Sequence, residues 1–410
     1  MKTPEYLAPL REELAAALKQ ADNAWSFDIF KHTPKLESFT KECLRVFTPS
    51  GKKRSEDLET EIVQGLQFDS LQLPQELLWD DAGQILFDDL CNSSTYYLTK
   101  KEKEILQKYS TDMAATIPEG STLIELGCGS LRKTGILLSA LEKSHKAVTY
   151  YALDVSQDSL ENGLAQLHKG LGCLDHVELR GLWGTYEDAI AWLADQHPIN
   201  VHNGITFLWM GNSMTNMHLA QAQSLLSRMT KTCIGSGISC QILVSVDSCS
   251  AEDIVMGAYD TDSQPLKDFI MNGLKSANRI LGKDVFCASD WTFGTVLDRV
   301  RHEVQVFYAP TRDVTIHIDS HPCKITKGEK IAVISSGKWP EPYFRSMLEG
   351  IGLQVLDLWR DSDQFYSSVR QRTSSEGQSW SSLMLTKFSY ISLDIECICV
   401  SRWHPCCEHK

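Results

Sequence analysis

Long apolar runs, positive charge and paired cysteines are what this sequence has least of, and each shortage excludes a class of function. No window approaches the ~18 uninterrupted apolar residues of a membrane span, and the opening MKTPEYLAPLREELAAALKQ carries acids where a signal peptide needs an apolar core. A cytoplasmic protein is expected. Only 40 Lys and Arg stand against 53 Asp and Glu, a net charge of −13. Binding to nucleic acid or an anionic membrane needs clustered cations, so neither is expected as a partner. The 13 cysteines are odd in number and scattered, and no CxxC pair occurs. Neither a disulfide framework nor a structural zinc site is indicated, and no metal is expected. Internal repeats and low-complexity tracts are also missing.

What is present is a change of rhythm along 410 residues, enough chain for two or three domains. Leu7, Leu10, Leu14 and Leu18 have helical spacing, and TPSGKKRSED near 48–57 reads as a solvated loop. LFDDLCNSSTYYLTKKEKEILQKYSTDMAATIP reads as a turn and then a helix ending before Pro118. From there strands and helices alternate: STLIELGCGS, LRKTGILLSALEK, AVTYYALDVS, QDSLENGLAQLHKGL, HVELRGLWG, YEDAIAWLADQ, GITFLWMGNS, a helix through Leu219 to Met229, and CQILVSVD. That alternation predicts a parallel sheet with crossover helices, a doubly wound α/β domain. Between 248 and 338 the pattern becomes a helix followed by segments such as RHEVQVFYAP, DVTIHIDSH and EKIAVISS, which read as antiparallel strands of an α+β unit.

Glu125-Leu-Gly-Cys-Gly-Ser130 falls at the C-terminal end of the first strand, where open α/β sheets bind ligands. Gly127 and Gly129 let backbone approach a ligand closely. The motif is GxG and not GxGxxG, since Leu131-Arg132-Lys133 stand where a third glycine would be, and this fits a ligand without a pyrophosphate. The next strand ends in Asp154, followed by Ser156, where an acid can accept both hydroxyls of a ribose; otherwise Asp154 would be a helix cap, a task Ser156 or Asp158 can also fill. A glycine loop with an acid at the next strand end is the pattern of S-adenosylmethionine (SAM)-dependent methyltransferases.

The run of TLIELGCGSLRKT, VTYYALDVS, GLWGTYEDAIAWL, GNSMTN, AYDTD and NGLKSANRILG resembles the amino-acid Nα-methyltransferases that include the ergothioneine-pathway histidine methyltransferase and the fungal 4-dimethylallyltryptophan N-methyltransferases of ergot alkaloid biosynthesis. The resemblance covers roughly residues 75 to 360. It implies a Rossmann-like class I methyltransferase domain at 98–247 and 339–370, a discontinuous α+β substrate-binding domain at 25–97 and 248–338, an N-terminal helix within 1–24, and a tail at 371–410. It implies SAM as cofactor, a small-molecule amino-acid substrate, and a monomer or homodimer.

The resemblance also implies roles. Glu125, Gly127, Gly129, Lys133, Asp154, Ser156 and Gly211 would surround the cofactor, with Lys133 on its carboxylate and Asp154 on its ribose. Thr185 and Tyr186 would border the adenine, although relatives often have Asp and Phe there. Asn216 would hold the substrate amino group and Tyr259 its carboxylate, with Tyr96 and Tyr97 reaching the same pocket; Asn216, Tyr97 and Tyr259 are the expected catalytic residues. Ile334-Ser335-Ser336-Gly337-Lys338 departs from the histidine-methylating pattern, which has Glu in place of Ile334. Isoleucine cannot accept an imidazole N–H, and a buried polar group left unpaired costs about 1–3 kcal/mol. Ile334, Ser336 and Val304 would therefore form a wall suited to an indole or prenylated indole, so the expected substrate is 4-dimethylallyl-L-tryptophan or a related tryptophan derivative. A histidine methyltransferase and an inactive cofactor-binding subunit are the alternatives.

Overall fold

Seven strands form one sheet whose order identifies its ligand-binding end. The chain is described by a computed structural model covering residues 51–67, 70–194, 203–318 and 321–373. The expected helix at residues 5–20, and the tail beyond 373 with Cys397, Cys399, Cys406 and Cys407, lie outside the described residues. Strands β1 (Thr122–Leu126), β2 (Val148–Asp154), β3 (Val177–Trp183), β4 (Ile205–Trp209) and β5 (Cys240–Asp247) run parallel. Five more strands belong to the second unit: β6 (Trp291–Asp298), β7 (Glu303–Pro310), β8 (Val314–Ile318), β9 (His321–Ile325) and β10 (Ile331–Gly337). The last two return to the large sheet, β12 (Tyr366–Thr373) pairing antiparallel with β5 and β11 (Leu353–Arg360) antiparallel with β12. Its order is β11-β12-β5-β4-β1-β2-β3, so the winding reverses between β1 and β4, and a crevice opens at their C-terminal ends.

Helices in chain order are α1 (Gly51–Gly65), α2 (Asp81–Asn92), α3 (Tyr97–Thr116), α4 (Thr134–Lys143), α5 (Gln157–Leu171), α6 (Tyr186–Ala194), α7 (Leu219–Gly235), α8 (Glu252–Ala258), α9 (Gln264–Leu281) and α10 (Glu341–Gly350). Every residue of β1, β4 and β5 is buried, as strands covered on both faces require. Alternate side chains feed two cores: Leu123 and Tyr150 point to one, Ile124 and Tyr151 to the other. The first core continues into the second unit, where Leu73 and Leu78 join Ile270, Leu274 and Tyr308. That unit is the sheet β10-β7-β6, with the hairpin β8–β9 beside it. Leu71–Leu73 add to its edge, the Leu73 N–H donating to Ala332 O at 2.8 Å and the Ala332 N–H to Leu71 O at 2.9 Å. No helix among the described residues is long and apolar enough to cross a membrane.

Two local expectations are corrected and one strand is added. The stretch read as a loop contains the start of α1, because Leu58, Ile62 and Leu66 behind it have helical spacing and bury Ile62 and Leu66. The turn before α3 is only four residues, since LFDDLCN belongs to α2, which Asp80 caps by accepting the Gly83 N–H at 2.7 Å. Strand β6, unread in the sequence, pairs along its whole length with β7.

Candidate active site

A cavity of about 960 Å³ extends from the C-terminal ends of β1, β2 and β4 to the face of the β7–β10 sheet. At the first end the chain turns through positive φ repeatedly: Gly127 (67°), Gly129 (53°), Leu131 (58°), Gly211 (76°) and Asn212 (62°). A Cβ on Gly127 would meet the Tyr186 hydroxyl at 3.1 Å, so side-chain-free backbone faces the cavity there. Asp154, 4% exposed, holds the loop: its carboxylate accepts the N–H groups of Gly129 at 3.0 Å, Val155 at 2.7 Å and Ser156 at 3.1 Å. Burial raises its pKa, and those N–H groups work against the rise.

Lys133 and Glu102 form an ion pair beside this loop. The other oxygen of Glu102 accepts the Gly211 N–H at 2.6 Å. Glu102 is fully buried although it sits in the charge run KKEKE, which reads as a solvated helix face; no signal in the sequence singled it out. Opposite charges next to positive-φ backbone fit the zwitterionic end of a methionine moiety, and Asp154 lines the cavity where a ribose would lie. The residues present therefore fit SAM.

Of the expected cofactor residues, all but Ser156 line this end. Glu125 accepts from Thr134 at 2.7 Å and from Tyr150, and burial lifts its pKa to about 7. Thr185 exchanges bonds with Asp188, accepting its N–H at 3.1 Å and donating its own hydroxyl at 2.8 Å, which makes it the cap of α6. Ser156 does not line the cavity: it caps α5 by accepting the Ser159 N–H at 3.1 Å and bonds Asp81. The capping alternative weighed for Asp154 is thus filled by Ser156.

The far wall combines apolar and polar faces. Ile334 lines it opposite Val306, its register partner, with Trp79, Phe87 and Phe269 nearby. Val304 is corrected: it pairs with Ser336, is fully buried and stays outside the cavity, which is lined instead by Val306, two residues further along the same face of β7. Tyr97 is corrected too. Its hydroxyl donates to Asp247 at 2.6 Å, behind the wall, whereas Tyr96 lines the cavity with its ring 6.3 Å from that of Tyr259. Asn216, in the turn Ser213–Asn216 after β4, faces the cavity with no hydrogen-bond partner among the described residues.

Behind Tyr259 and Ser336 lies a buried ion pair that reasoning from sequence left unused. Lys338 and Asp247, 3% and 0% exposed, are 3.1 Å apart. Burial opposes the lysine charge, but the Asp247 carboxylate and the Tyr259 hydroxyl outweigh it, so its pKa stands above the ordinary value. The remaining Asp247 oxygen accepts the Cys249 N–H at 2.9 Å. An acid ending the strand CQILVSVD was the available signal for Asp247.

With the crevice, the glycine loop and Asp154 in place, comparison with known proteins decides the family. The family described as histidine-specific, SAM-dependent methyltransferase matches residues 58–372. The chain belongs to this family. SAM is its cofactor, and its fold is the Rossmann-like class I methyltransferase fold with an added α+β unit. It is 99% identical over 315 residues to N-methyltransferase dtpB of Aspergillus flavus, covering 77% of this chain and 88% of that protein. It is 36% identical to ergothioneine biosynthesis protein 1 of Neurospora crassa, covering 72% of this chain and 32% of that longer protein. It is 28% identical to the 4-dimethylallyltryptophan N-methyltransferase easF of Arthroderma benhamiae, over 75% and 91% of the two.

Proposed function

We propose that this SAM-dependent methyltransferase acts on the α-amino nitrogen of an aromatic amino acid, with tryptophan derivatives such as 4-dimethylallyl-L-tryptophan as the expected acceptors. The observation that carries this is Ile334: it lines the cavity with Val306 where an imidazole would need an acceptor. The wall offers dispersion contacts to a ring and leaves an imidazole N–H unpaired. The resemblance to a 4-dimethylallyltryptophan N-methyltransferase supports the same class.

SAM, when bound, would supply a methyl group whose carbon a neutral amine attacks in line, the C–S bond breaking as the sulfur leaves as a neutral thioether. Lys133 would bind its carboxylate, Asp154 its ribose, and the backbone at Gly127, Gly129 and Gly211 would pack against it. The substrate side must provide an amine with its lone pair free. An apolar cavity disfavours an ammonium, which shifts the amine toward its neutral form. The Asn216 side-chain oxygen would accept an amine N–H, which turns the lone pair away from Asn216 and toward the cofactor end. No carboxylate or imidazole is needed as a base at that atom. Holding the reactants in line is then the main source of acceleration.

The test is a mass-spectrometric screen of the purified protein with SAM and histidine, tryptophan or 4-dimethylallyl-L-tryptophan. Methyl transfer to the indoles is expected; methylation of histidine in preference to both overturns the reading.

A further inference from the structure

Two hydroxyls, those of Tyr259 and Ser336, meet at the cavity wall 2.7 Å apart. Lys338 stands immediately behind them and outside the cavity. Its ammonium donates to Ser336 Oγ at 2.9 Å, to the Tyr259 hydroxyl at 3.2 Å and to Asp247 Oδ2 at 3.1 Å, with longer contacts of 3.4 Å to the carbonyls of Ser336 and Gly337. Three N–H groups and no acceptor are all an ammonium has. Asp247 in turn is fixed by Tyr97 and the Cys249 N–H, so the ammonium has one well-defined position.

Each hydroxyl has one proton and two lone pairs. Lys338 fills one lone pair on each oxygen. The bond between the hydroxyls fills another and uses one of the two protons. The Asn212 amide also reaches Ser336 Oγ, at 3.5 Å. Tyr259 is the donor in that bond and has the Tyr96 hydroxyl as a further neighbour, so the proton left over is that of Ser336, which lines the cavity beside Ile334. The apolar Ile334 beside the pair adds neither donor nor acceptor.

We propose that Lys338, held by Asp247, is a positioning residue that makes the Tyr259–Ser336 pair a one-way donor, so that this wall takes a carbonyl-type oxygen of the substrate and rejects an N–H. The inference rests on the reading that Tyr259 and Ser336 face the methyl acceptor. A site built around a single hydrogen bond discriminates strongly against a ligand lacking the matching group. The oxygen belongs to a free carboxylate or to an amide, and the two sources are separable.

The experiment measures binding of tryptophan, tryptophanamide and tryptamine to the full chain in the presence of S-adenosylhomocysteine. Tryptamine, which has no carbonyl oxygen, is expected to bind at least about tenfold more weakly than the better of the other two. A tenfold preference for the acid over the amide assigns the oxygen to a carboxylate; near equality assigns it to a neutral carbonyl. In D247N/K338M both charges leave together, a change that buried ion pairs tolerate better than loss of one partner. There the tryptamine disadvantage is expected to fall to threefold or less, a ratio that a merely weakened fold would not move. Equal binding of all three to the wild type overturns the proposal whether or not the variant folds, as does an unchanged ratio in a folded variant. Failure of all three to bind overturns the aromatic reading of the cavity and this proposal with it.

Discussion

At the cofactor end of the cavity much of the surface is backbone: Gly127, Gly129, Gly211 and the N–H groups that Asp154 gathers from Gly129, Val155 and Ser156. At the substrate end the contacts come from side chains brought together across long stretches of chain: Tyr259 with Ser336, Lys338 with Asp247, Tyr97 with Asp247. A backbone cradle depends on φ angles that few residue types adopt, so it tolerates little variation. A wall of side chains changes its chemistry with one substitution and leaves the sheet intact. That contrast explains how one fold can keep SAM and change its acceptor.

The largest expected effect separates the ends. Asn216→Ala should lower kcat by about 100-fold or more, the scale of a misplaced reactant, while calorimetric SAM affinity stays within about twofold; loss of SAM binding would show the ends are not separate. Gly127→Val should do the reverse. A β-branched residue at φ 67° pays a strain of about 1–2 kcal/mol and crowds the Tyr186 hydroxyl, so SAM affinity should fall about tenfold or more. Unchanged affinity there would mean that the backbone at Gly127 does not pack against SAM.

A smaller effect is on stability alone. The Glu125 carboxyl titrates near 7 in the fold and near 4.5 when unfolded. A raised carboxyl contributes stability that is fully present below pH 4.5 and is lost as pH rises through 7. The Tm of Glu125→Gln minus that of the wild type should therefore increase by a few degrees from pH 5 to pH 8. A difference independent of pH would mean Glu125 is not buried as described.

What the sequence made legible follows the same division. The strands ending at Leu126 and Asp154 are short apolar runs closed by glycine or acid, so local pattern placed Gly127, Gly129 and Asp154 at the crevice. Ser156 and Thr185 were harder, because a residue after a strand reads equally well as a ligand contact or a cap, and the neighbours Ser159 and Asp188 decide. Glu102 was hidden by its charged neighbours, since only tertiary packing buries it. Val304 and Val306 share one face of β7, so alternation alone does not say which of them reaches the lining. Tyr97 differs from Tyr96 only in the partner that a strand 150 residues away provides.

If Ile334 sets the acceptor, Ile334→Glu should change it. Wild type and variant are each given SAM with equal concentrations of tryptophan and histidine, and the methylated products are quantified together. The indole-to-imidazole product ratio should fall by about tenfold or more in the variant, because Glu supplies the acceptor an imidazole N–H needs and charges a wall that suited an indole. An unchanged ratio in a variant that still binds SAM would contradict that role of Ile334.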